Sequence, residues 1–218
     1  MSTARALIFA NGLLPDMESA RKLVQPGDVL YAADGGANHI LGLGLLPSLV
    51  VGDLDSLTEE NLQKLLASSV RIVHYPQDKD LTDLELTINC ALDEGYHRLV
   101  IVGALGGRLD MTLSNLSLLT RPALLDIDVS LDDGVEQVFF VTKEVLISGK
   151  SGDIISLLPW GGKVEQVTTN GLRWELYNED LNSYETRSIS NEMRTGEAKI
   201  CIGSGLLLCI HCRQDPSK

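Results

Sequence analysis

The sequence predicts an α/β fold: an N-terminal, doubly wound, mostly parallel sheet domain followed by a smaller all-β sandwich or barrel domain. In the first part of the chain, apolar runs alternate with segments of helical spacing, as parallel sheets with crossover helices require. From about residue 135 the apolar runs become short and closely spaced, with glycine and asparagine turns between them. We therefore predict two domains, residues 1–140 and 141–218.

Five apolar runs account for the predicted strands of the first domain. They are nearly continuous in Val, Ile, Leu and Ala, which is typical of parallel strands that are covered on both faces. These runs are ALIFANG (6–12), DVLYAADGG (28–36), PSLVVGDLDS (47–56), RIVHYPQD (71–78) and HRLVIVGALGG (97–107).

Two of the intervening helices carry start signals. Ser56 precedes Glu59 by three residues, and Thr82 precedes Glu85 by three, so both pairs match a capping box. The second helix is expected to end at Gly95, because glycine commonly follows the last helical turn.

Seven short runs predict the strands of the second domain, and their number and spacing are typical of an antiparallel sandwich or barrel. They are VEQVFFVT (135–142), EVLISG (144–149), DIISLLP (153–159), KVEQVTT (163–169), GLRWELY (171–177), AKICIG (198–203) and LLLCIHC (206–212). Cys209 and Cys212 have metal-ligand spacing, but no second ligand pair accompanies them, so we interpret them as thiols of a core strand.

Charge and hydropathy exclude several classes of function. The formal net charge of −12 argues against a broad basic surface for nucleic acid or anionic membrane. No apolar run approaches the length of a membrane span, and the N-terminal stretch lacks the pattern of a secretory signal. We expect a cytoplasmic protein with free thiols.

Polar residues follow each predicted strand of the first domain. Because ligands of open parallel sheets bind beyond the carboxyl ends of the strands, we expect these residues to converge on one edge. They are Asn11 and Gly12, Asp34 to Gly36, Asp53 and Asp55, Gln77 and Asp78, and Arg108 and Asp110.

Asp53 and Asp55 form a D-x-D pair directly after a buried run. If the backbone is extended there, their side chains face the same way at about 7 Å, and at an effective dielectric near 20 they repel by roughly 2 kcal/mol. A divalent cation would turn this repulsion into attraction. A solvated turn that begins the next helix explains the pair equally well.

Residues 77–85 form a second acidic segment, in which Asp78, Asp80 and Asp83 surround Lys79. The helix dipole accounts for acids in a first helical turn, and Lys79 is either a phosphate contact or a neutralising partner. GALGGRLD (103–110) places flexible backbone before a helix, where an anion can bind, but it is neither a P-loop nor a dinucleotide motif. Taken together, the carboxylates and glycine-rich turns indicate nucleotide-phosphate chemistry with magnesium.

The same segments resemble the thiamine pyrophosphokinase family, in the family's order and over nearly the whole chain. The matching segments are ADGGAN (33–38), PSLVVGDLDS (47–56), QDKDLTDLEL (77–86), GALGGRLD (103–110) and SISNE (188–192). The resemblance implies an α/β catalytic domain, a β-sandwich thiamine-binding domain and a homodimer with its active sites between subunits. It also implies transfer of the pyrophosphoryl group of ATP to the thiamine hydroxyl, with AMP as the other product and Mg²⁺ as the cofactor.

The resemblance also implies roles for individual residues. Asp53, Asp55 and Asp83 match the acids that bind magnesium and orient or deprotonate the hydroxyl, and Ser190 and Asn191 match the thiamine-binding segment. Residues expected to contact ATP or its phosphates are Asp34, Gly35, Gly36, Gln77, Lys79, Gly106, Gly107, Arg108 and Asp110.

The sequence departs from the family at two places. Met111 stands where some relatives carry a histidine, so we assign it no catalytic role. The chain end, GLLLCIHC, lacks the tryptophan that stacks on thiamine in some relatives, and we interpret Trp160 and Trp174 as packing residues.

Two alternative functions remain. A strand that ends in D-x-D also suits a haloacid-dehalogenase-like phosphatase, but Leu57 stands where that motif expects Thr or Val, and the pair follows the third strand instead of the first. A non-catalytic module that senses thiamine or nucleotide would keep the fold without turnover.

Overall fold

The computed structural model describes residues 4–214, and these divide into two compact units at the boundary between Gly134 and Val135. The α/β fold class with a second, antiparallel unit is confirmed. The predicted division after residue 140 would fall inside a strand of the second unit, Glu136–Val141.

The first unit contains a six-stranded, entirely parallel sheet in the order β6-β5-β1-β2-β3-β4. Its strands are β1 (Ala6–Phe9), β2 (Val29–Ala33), β3 (Leu49–Gly52), β4 (Arg71–His74), β5 (Arg98–Val102) and β6 (Asp128–Asp132). The five predicted strands are confirmed. Strand β6 was not predicted, because it begins and ends with aspartate and has only two aliphatic residues.

Helices connect successive strands of this sheet. They are α1 (Met17–Leu23), α2 (Gly36–Gly42), α3 (Glu59–Leu66), α4 (Asp83–Asp93), α5 (Leu109–Leu118) and α6 (Pro122–Leu125). Apolar residues of α1, α2 and α3 share a buried cluster with β1, β2 and β3. This packing holds the carboxyl ends of the strands at fixed positions.

One of the two predicted helix starts is wrong. The N-cap of α3 is Thr58, whose hydroxyl accepts a hydrogen bond from the Asn61 amide at 3.3 Å, and not Ser56. The cap at Thr82 is confirmed, since its hydroxyl accepts from the Glu85 amide at 3.2 Å. As expected, α4 ends before Gly95.

The second unit contains two antiparallel sheets of four strands each, in the orders β12-β9-β14-β7 and β11-β10-β13-β8. Residues from both sheets share one apolar cluster. The strands are β7 (Glu136–Val141), β8 (Glu144–Ser148), β9 (Ile154–Pro159), β10 (Val164–Asn170), β11 (Glu179–Leu181), β12 (Asn191–Glu192), β13 (Glu197–Cys201) and β14 (Leu207–Cys212).

One predicted strand of this unit is wrong. Residues 171–177 do not form a strand, and only Leu172 makes an isolated bridge, to Met193. Strands β11 and β12 were not predicted, because two or three residues are too few to show an alternating pattern. Cys209 lies fully buried in β14, as the core-strand interpretation of its thiol expects.

Within residues 4–214, no helix has both the length and the apolar composition that crossing a bilayer requires.

Candidate active site

A cavity of about 620 Å³ opens at the carboxyl edge of the parallel sheet. Its walls are the segments that follow β1, β2, β3, β4 and β5, together with the first turns of α4 and α5. Parallel strands all end at the same edge of a sheet, so five separate segments of the chain meet here. The cavity lies entirely within the first unit.

Close backbone contacts form the inner wall of this cavity. The Gly12 amide donates to the Gly103 carbonyl at 2.9 Å, which joins the ends of β1 and β5. Gly36 begins α2 so close to β1 that a Cβ there would lie 1.9 Å from the Phe9 carbonyl oxygen. Gly36 was predicted to contact a ligand. Its lack of a side chain is already required for α2 to approach β1 this closely.

Three carboxylates meet at the ends of β2, β3 and α4. Asp34, Asp53 and Asp83 each place an oxygen within 4.8 Å of the others, and we call them the carboxylate cluster. Asp34 is 7% exposed, and its Oδ1 has no hydrogen-bond partner. Because a buried, unpaired carboxylate oxygen is costly, this atom is suited to a bound cation.

Gly52 provides the space for the cluster. Its φ of +150° is one that residues with side chains rarely adopt, and a Cβ there would lie 2.9 Å from Asp34 Cβ and 3.1 Å from Asp83 Oδ1. Any side chain at this position would displace two of the three acids.

Lys79 is the cation next to the cluster. Its Nζ lies 3.0 Å from Asp83 Oδ1 and donates to the Pro76 carbonyl at 3.1 Å. The contact with Asp83 Oδ1 is an ion pair between a buried carboxylate oxygen and an ammonium whose side chain is largely buried.

The charges of the cluster shift the pKa values of Lys79 and Asp83. Burial and the neighbouring carboxylates of Asp34 and Asp53 raise the pKa of Asp83, and the ammonium of Lys79 opposes that rise. Burial alone would lower the pKa of Lys79, but the ion pair with Asp83 and the charges of Asp53 and Asp34 raise it. A second cation at this site would relieve the excess of negative charge.

Asp55 lies outside the cluster. Leu54 has a φ of 68°, so the chain turns after Asp53, and the condition of an extended backbone for the D-x-D pair is not met. Asp55 is exposed, accepts a hydrogen bond from Gln77 Nε2 at 2.9 Å, and donates its own amide to Asp53 Oδ1 at 3.3 Å. The predicted metal ligands were Asp53, Asp55 and Asp83. Within the described residues, the acid that lies beside Asp53 and Asp83 is Asp34.

The sequence evidence for Asp34 was ADGG after the second strand, which suggested a ligand-lining residue but not a member of an acid cluster. Its position opposite Asp53 and Asp83 depends on the pairing of β2 with β3, where the Asp34 amide donates to the Val51 carbonyl at 2.8 Å.

Only some of the predicted residues that follow β5 line the cavity. Gly106, Gly107 and Arg108 line it, and so does Met111. Asp110 is not among the lining residues, and its carboxylate accepts two hydrogen bonds from Arg108, at 2.6 and 3.1 Å. This exposed pair raises the pKa of Arg108 and lowers that of Asp110.

Of the other predicted residues, Gln77 lines the cavity, whereas Gly35 does not and instead packs against the Asn11 side chain. Several cavity residues were not predicted. Leu13, Leu81 and Leu84 add apolar surface, and Asn115, 9% exposed, donates to the Ala104 carbonyl at 2.9 Å. Leu81 and Leu84 lie inside the acidic segment 77–85, where only the polar side chains were considered as ligand contacts, and Leu13 lies outside the predicted motifs.

Ser190 and Asn191 lie in the second unit. Ser190 is exposed and has a φ of 55°, and its amide donates to Ser156 Oγ at 2.9 Å. Asn191 is 6% exposed, and its amide group both accepts from the Trp174 amide at 3.1 Å and donates to the Trp174 carbonyl at 2.7 Å. Asn191 therefore holds the backbone of Trp174 in place.

The interpretation of Trp174 as a packing residue is wrong. Its side chain is 58% exposed, and the guanidinium carbon of Arg173 lies 4.8 Å from the centre of the indole ring. Trp160, in contrast, packs edge to face against Phe140 at 5.5 Å. An exposed indole that already holds one cation is suited to a cationic aromatic ligand.

Comparison with known families gives two matches. The family model described as thiamin pyrophosphokinase, catalytic domain, matches residues 20–131, and the model described as thiamin pyrophosphokinase, vitamin B1 binding domain, matches residues 142–207. The cavity and the carboxylate cluster belong to the first unit, and Trp174, Ser190 and Asn191 lie within the second match.

Individual relatives are similar over most of the chain. The thiamine pyrophosphokinase of Bacillus subtilis is 28% identical over 179 residues, which cover 81% of this chain and 84% of the relative. Thiamine pyrophosphokinase 1 of Arabidopsis thaliana is 29% identical over 236 residues, covering 97% and 88%.

Solved structures show the same fold. The crystal structure of the Bacillus subtilis thiamine pyrophosphokinase superimposes with a TM-score of 0.86 at 24% identity, covering 98% of this chain and 100% of that one. A thiamin pyrophosphokinase family protein from Enterococcus faecalis gives a TM-score of 0.82 at 26% identity, covering 97% and 100%.

Proposed function

Because this chain belongs to the thiamine pyrophosphokinase family, it is an enzyme that diphosphorylates thiamine, and we propose that ATP is the donor. In the proposed step, the thiamine hydroxyl oxygen bonds to the β-phosphorus of ATP. The bond from that phosphorus to the α,β-bridging oxygen breaks, and AMP leaves with the oxygen. The observation that carries the proposal is the carboxylate cluster in the wall of the cavity, inside the segment matched to a catalytic domain.

Mg²⁺ is the proposed cofactor, held by Asp34, Asp53 and Asp83. Hard divalent cations prefer carboxylate oxygens, and the unpaired, buried Asp34 Oδ1 fits such a ligand. When bound, the cation supplies neutralisation of the phosphate charge. This assignment replaces Asp55 by Asp34 as the third metal ligand.

The protein contributes mainly positioning. Lys79 and Arg108 place positive charge on the cavity wall for the phosphates, and the turn containing Gly106 and Gly107 offers backbone amides. Asp55, outside the cluster and hydrogen-bonded to Gln77, is the proposed acceptor of the hydroxyl proton.

The thiamine ring is the proposed ligand of the second unit, on the exposed Trp174 and beside Ser190. Asn191, predicted to contact thiamine, acts instead as a positioning residue for Trp174. Stacking and cation–π attraction suit a flat, positively charged heteroaromatic ring.

We also propose that the enzyme is a cytoplasmic homodimer. Among the described residues, the thiols of Cys90, Cys201 and Cys209 form no disulfide, which suits a reducing compartment. Sedimentation equilibrium tests the dimer, and a species of 23.7 kDa at all concentrations would contradict it.

Product analysis tests the reaction. Purified protein is incubated with Mg²⁺, ATP and thiamine, and AMP, ADP, phosphate and the thiamine phosphates are resolved. We expect AMP and thiamine diphosphate in equal amounts. ADP with thiamine monophosphate would contradict pyrophosphoryl transfer, phosphate alone would indicate a phosphatase, and saturable thiamine binding without turnover would indicate a sensing module.

A further inference from the structure

Lys79 places a positive charge beside the carboxylate cluster. Its side chain is 14% exposed, and its Nζ lies 3.0 Å from Asp83 Oδ1, the oxygen that Asp83 turns toward Gly52. That oxygen is buried. The contact therefore supplies charge compensation to a carboxylate oxygen that water does not reach.

Lys79 differs in this respect from the other cation on the cavity wall. Arg108 forms two hydrogen bonds with Asp110, an acid outside the cluster, and both side chains are exposed. Among the described residues, Lys79 therefore pairs with an acid of the carboxylate cluster, whereas Arg108 pairs with an acid outside it.

Asp34 provides the independent indication that the cluster takes a ligand. It is 7% exposed, its Oδ1 is unpartnered, and it lies within 4.8 Å of oxygens of Asp53 and Asp83. Asp34 Oδ1 therefore remains without a hydrogen-bond partner while Lys79 is in place.

We propose that Lys79 is a built-in competitor of the divalent cation: it neutralises Asp83 in the metal-free enzyme and is displaced from Asp83 Oδ1 when the cation binds. Its four-carbon side chain and its second contact, with the Pro76 carbonyl at 3.1 Å, allow the ammonium to leave Asp83 while staying on the cavity wall. There it is available to the phosphates of ATP. This inference rests on the proposed function, since it takes the carboxylate cluster as the metal site.

The competition predicts that removing the ammonium tightens metal binding. We would measure Mn²⁺ binding to the nucleotide-free protein by electron paramagnetic resonance of free Mn²⁺, for wild type and Lys79→Met. The expected dissociation constant of Lys79→Met is about tenfold lower, equivalent to about 1.4 kcal/mol. In the same variant, the KM for ATP should rise, because the phosphates lose a cation.

Two further variants separate competition from other effects. Lys79→Arg keeps the positive charge and should bind Mn²⁺ as the wild type does. Lys64→Met removes the same charge from another i,i+4 ion pair, the exposed Lys64–Glu60 pair, and should also bind as the wild type does. Circular dichroism establishes that each variant is folded.

Equal or weaker Mn²⁺ binding by folded Lys79→Met would overturn the inference, and so would equal tightening in Lys64→Met, which would reduce the effect to net charge. If neither wild type nor any variant binds Mn²⁺, the metal site of the proposed function fails as well. If all four proteins bind Mn²⁺ equally, the proposed competition by Lys79 is contradicted, whereas the metal site of the proposed function is not.

Discussion

Gly52 shows how one residue without a side chain makes a charged site possible. It ends β3, and its φ of +150° brings the chain past the Cβ of Asp34 and Oδ1 of Asp83. The acids come from separate elements, so their distances depend on this turn. The glycine is thus as important to the carboxylate cluster as the acids themselves.

Gly52→Ala should impair both stability and turnover. We expect a loss of about 1–3 kcal/mol in the free energy of unfolding, because alanine is strained at this φ, and a fall in kcat of about 100-fold, because displaced acids misplace the reacting groups. Urea unfolding and the rate of thiamine diphosphate formation are the measurements.

Gly162→Ala is the matched control, since a Cβ there meets no atom within 4 Å and its φ lies outside the strained range. Wild-type activity in Gly52→Ala would mean that the cluster tolerates displacement and does not bind the metal.

Among the secondary-structure elements, β14 is joined to the start of β9 by a buried pair. His211 Nε2 lies 2.8 Å from Asp153 Oδ2, and both side chains are at most 3% exposed. The carboxylate also accepts hydrogen bonds from the amides of Gln214 at 2.9 Å and Lys150 at 3.0 Å. One carboxylate therefore connects the turn before β9 with the end of β14 and the residues that follow it.

These contacts make stability depend on pH. Burial would raise the pKa of Asp153, but the hydrogen bonds from Gln214, His211 and Lys150 hold it below its ordinary value. A native pKa below the unfolded one stabilises the fold fully above the unfolded value of about 3.9, and this contribution is lost as the pH falls through the native pKa.

Asp153→Asn should therefore cost about 1–3 kcal/mol of unfolding free energy at pH 7, and the difference from wild type should shrink as the pH falls below about 3.9. Urea unfolding as a function of pH measures both. Asp126→Asn, which changes an exposed carboxylate, should shift the free energy by less than about 0.5 kcal/mol. A pH-independent difference for Asp153→Asn would show that the lost stability does not depend on the ionisation of Asp153.

In the whole molecule, the proposed function gives each unit a separate substrate. The cavity with the carboxylate cluster lies in the first unit, and the exposed Trp174 with its support, Asn191, lies in the second. Substitutions in the two units should then affect the kinetics of different substrates.

Asn191→Ala should raise the KM for thiamine about tenfold and leave the KM for ATP unchanged, because Trp174 loses both backbone hydrogen bonds that hold it. Steady-state kinetics with each substrate varied in turn measures the effect. Trp174→Phe, which keeps Asn191, should act on the same constant, and Trp160→Phe, in a packed ring pair, should change neither. A rise in the KM for ATP alone would place thiamine elsewhere.

Short sequence patterns correctly predicted those features that depend on interactions between residues close together in the chain. The parallel strands were visible because strands covered on both faces are nearly all apolar, and Thr82 was visible as a cap because it acts on a residue three positions away. Patterns failed where a distant contact decides: residues 171–177 have β-like composition, but the Asn191 amide takes the Trp174 backbone groups that a strand would pair.

By itself, the sequence determined the fold class, the family resemblance and the edge of the sheet at which polar residues gather, because each follows from short segments and their order. Only the tertiary structure decided which acids form the cluster. Leu54 has a positive φ, so Asp55 is turned away from Asp53, and the pairing of β2 with β3 brings Asp34 there instead. A backbone turn and the register of two strands set that choice, and neither is encoded in the spacing of the aspartates.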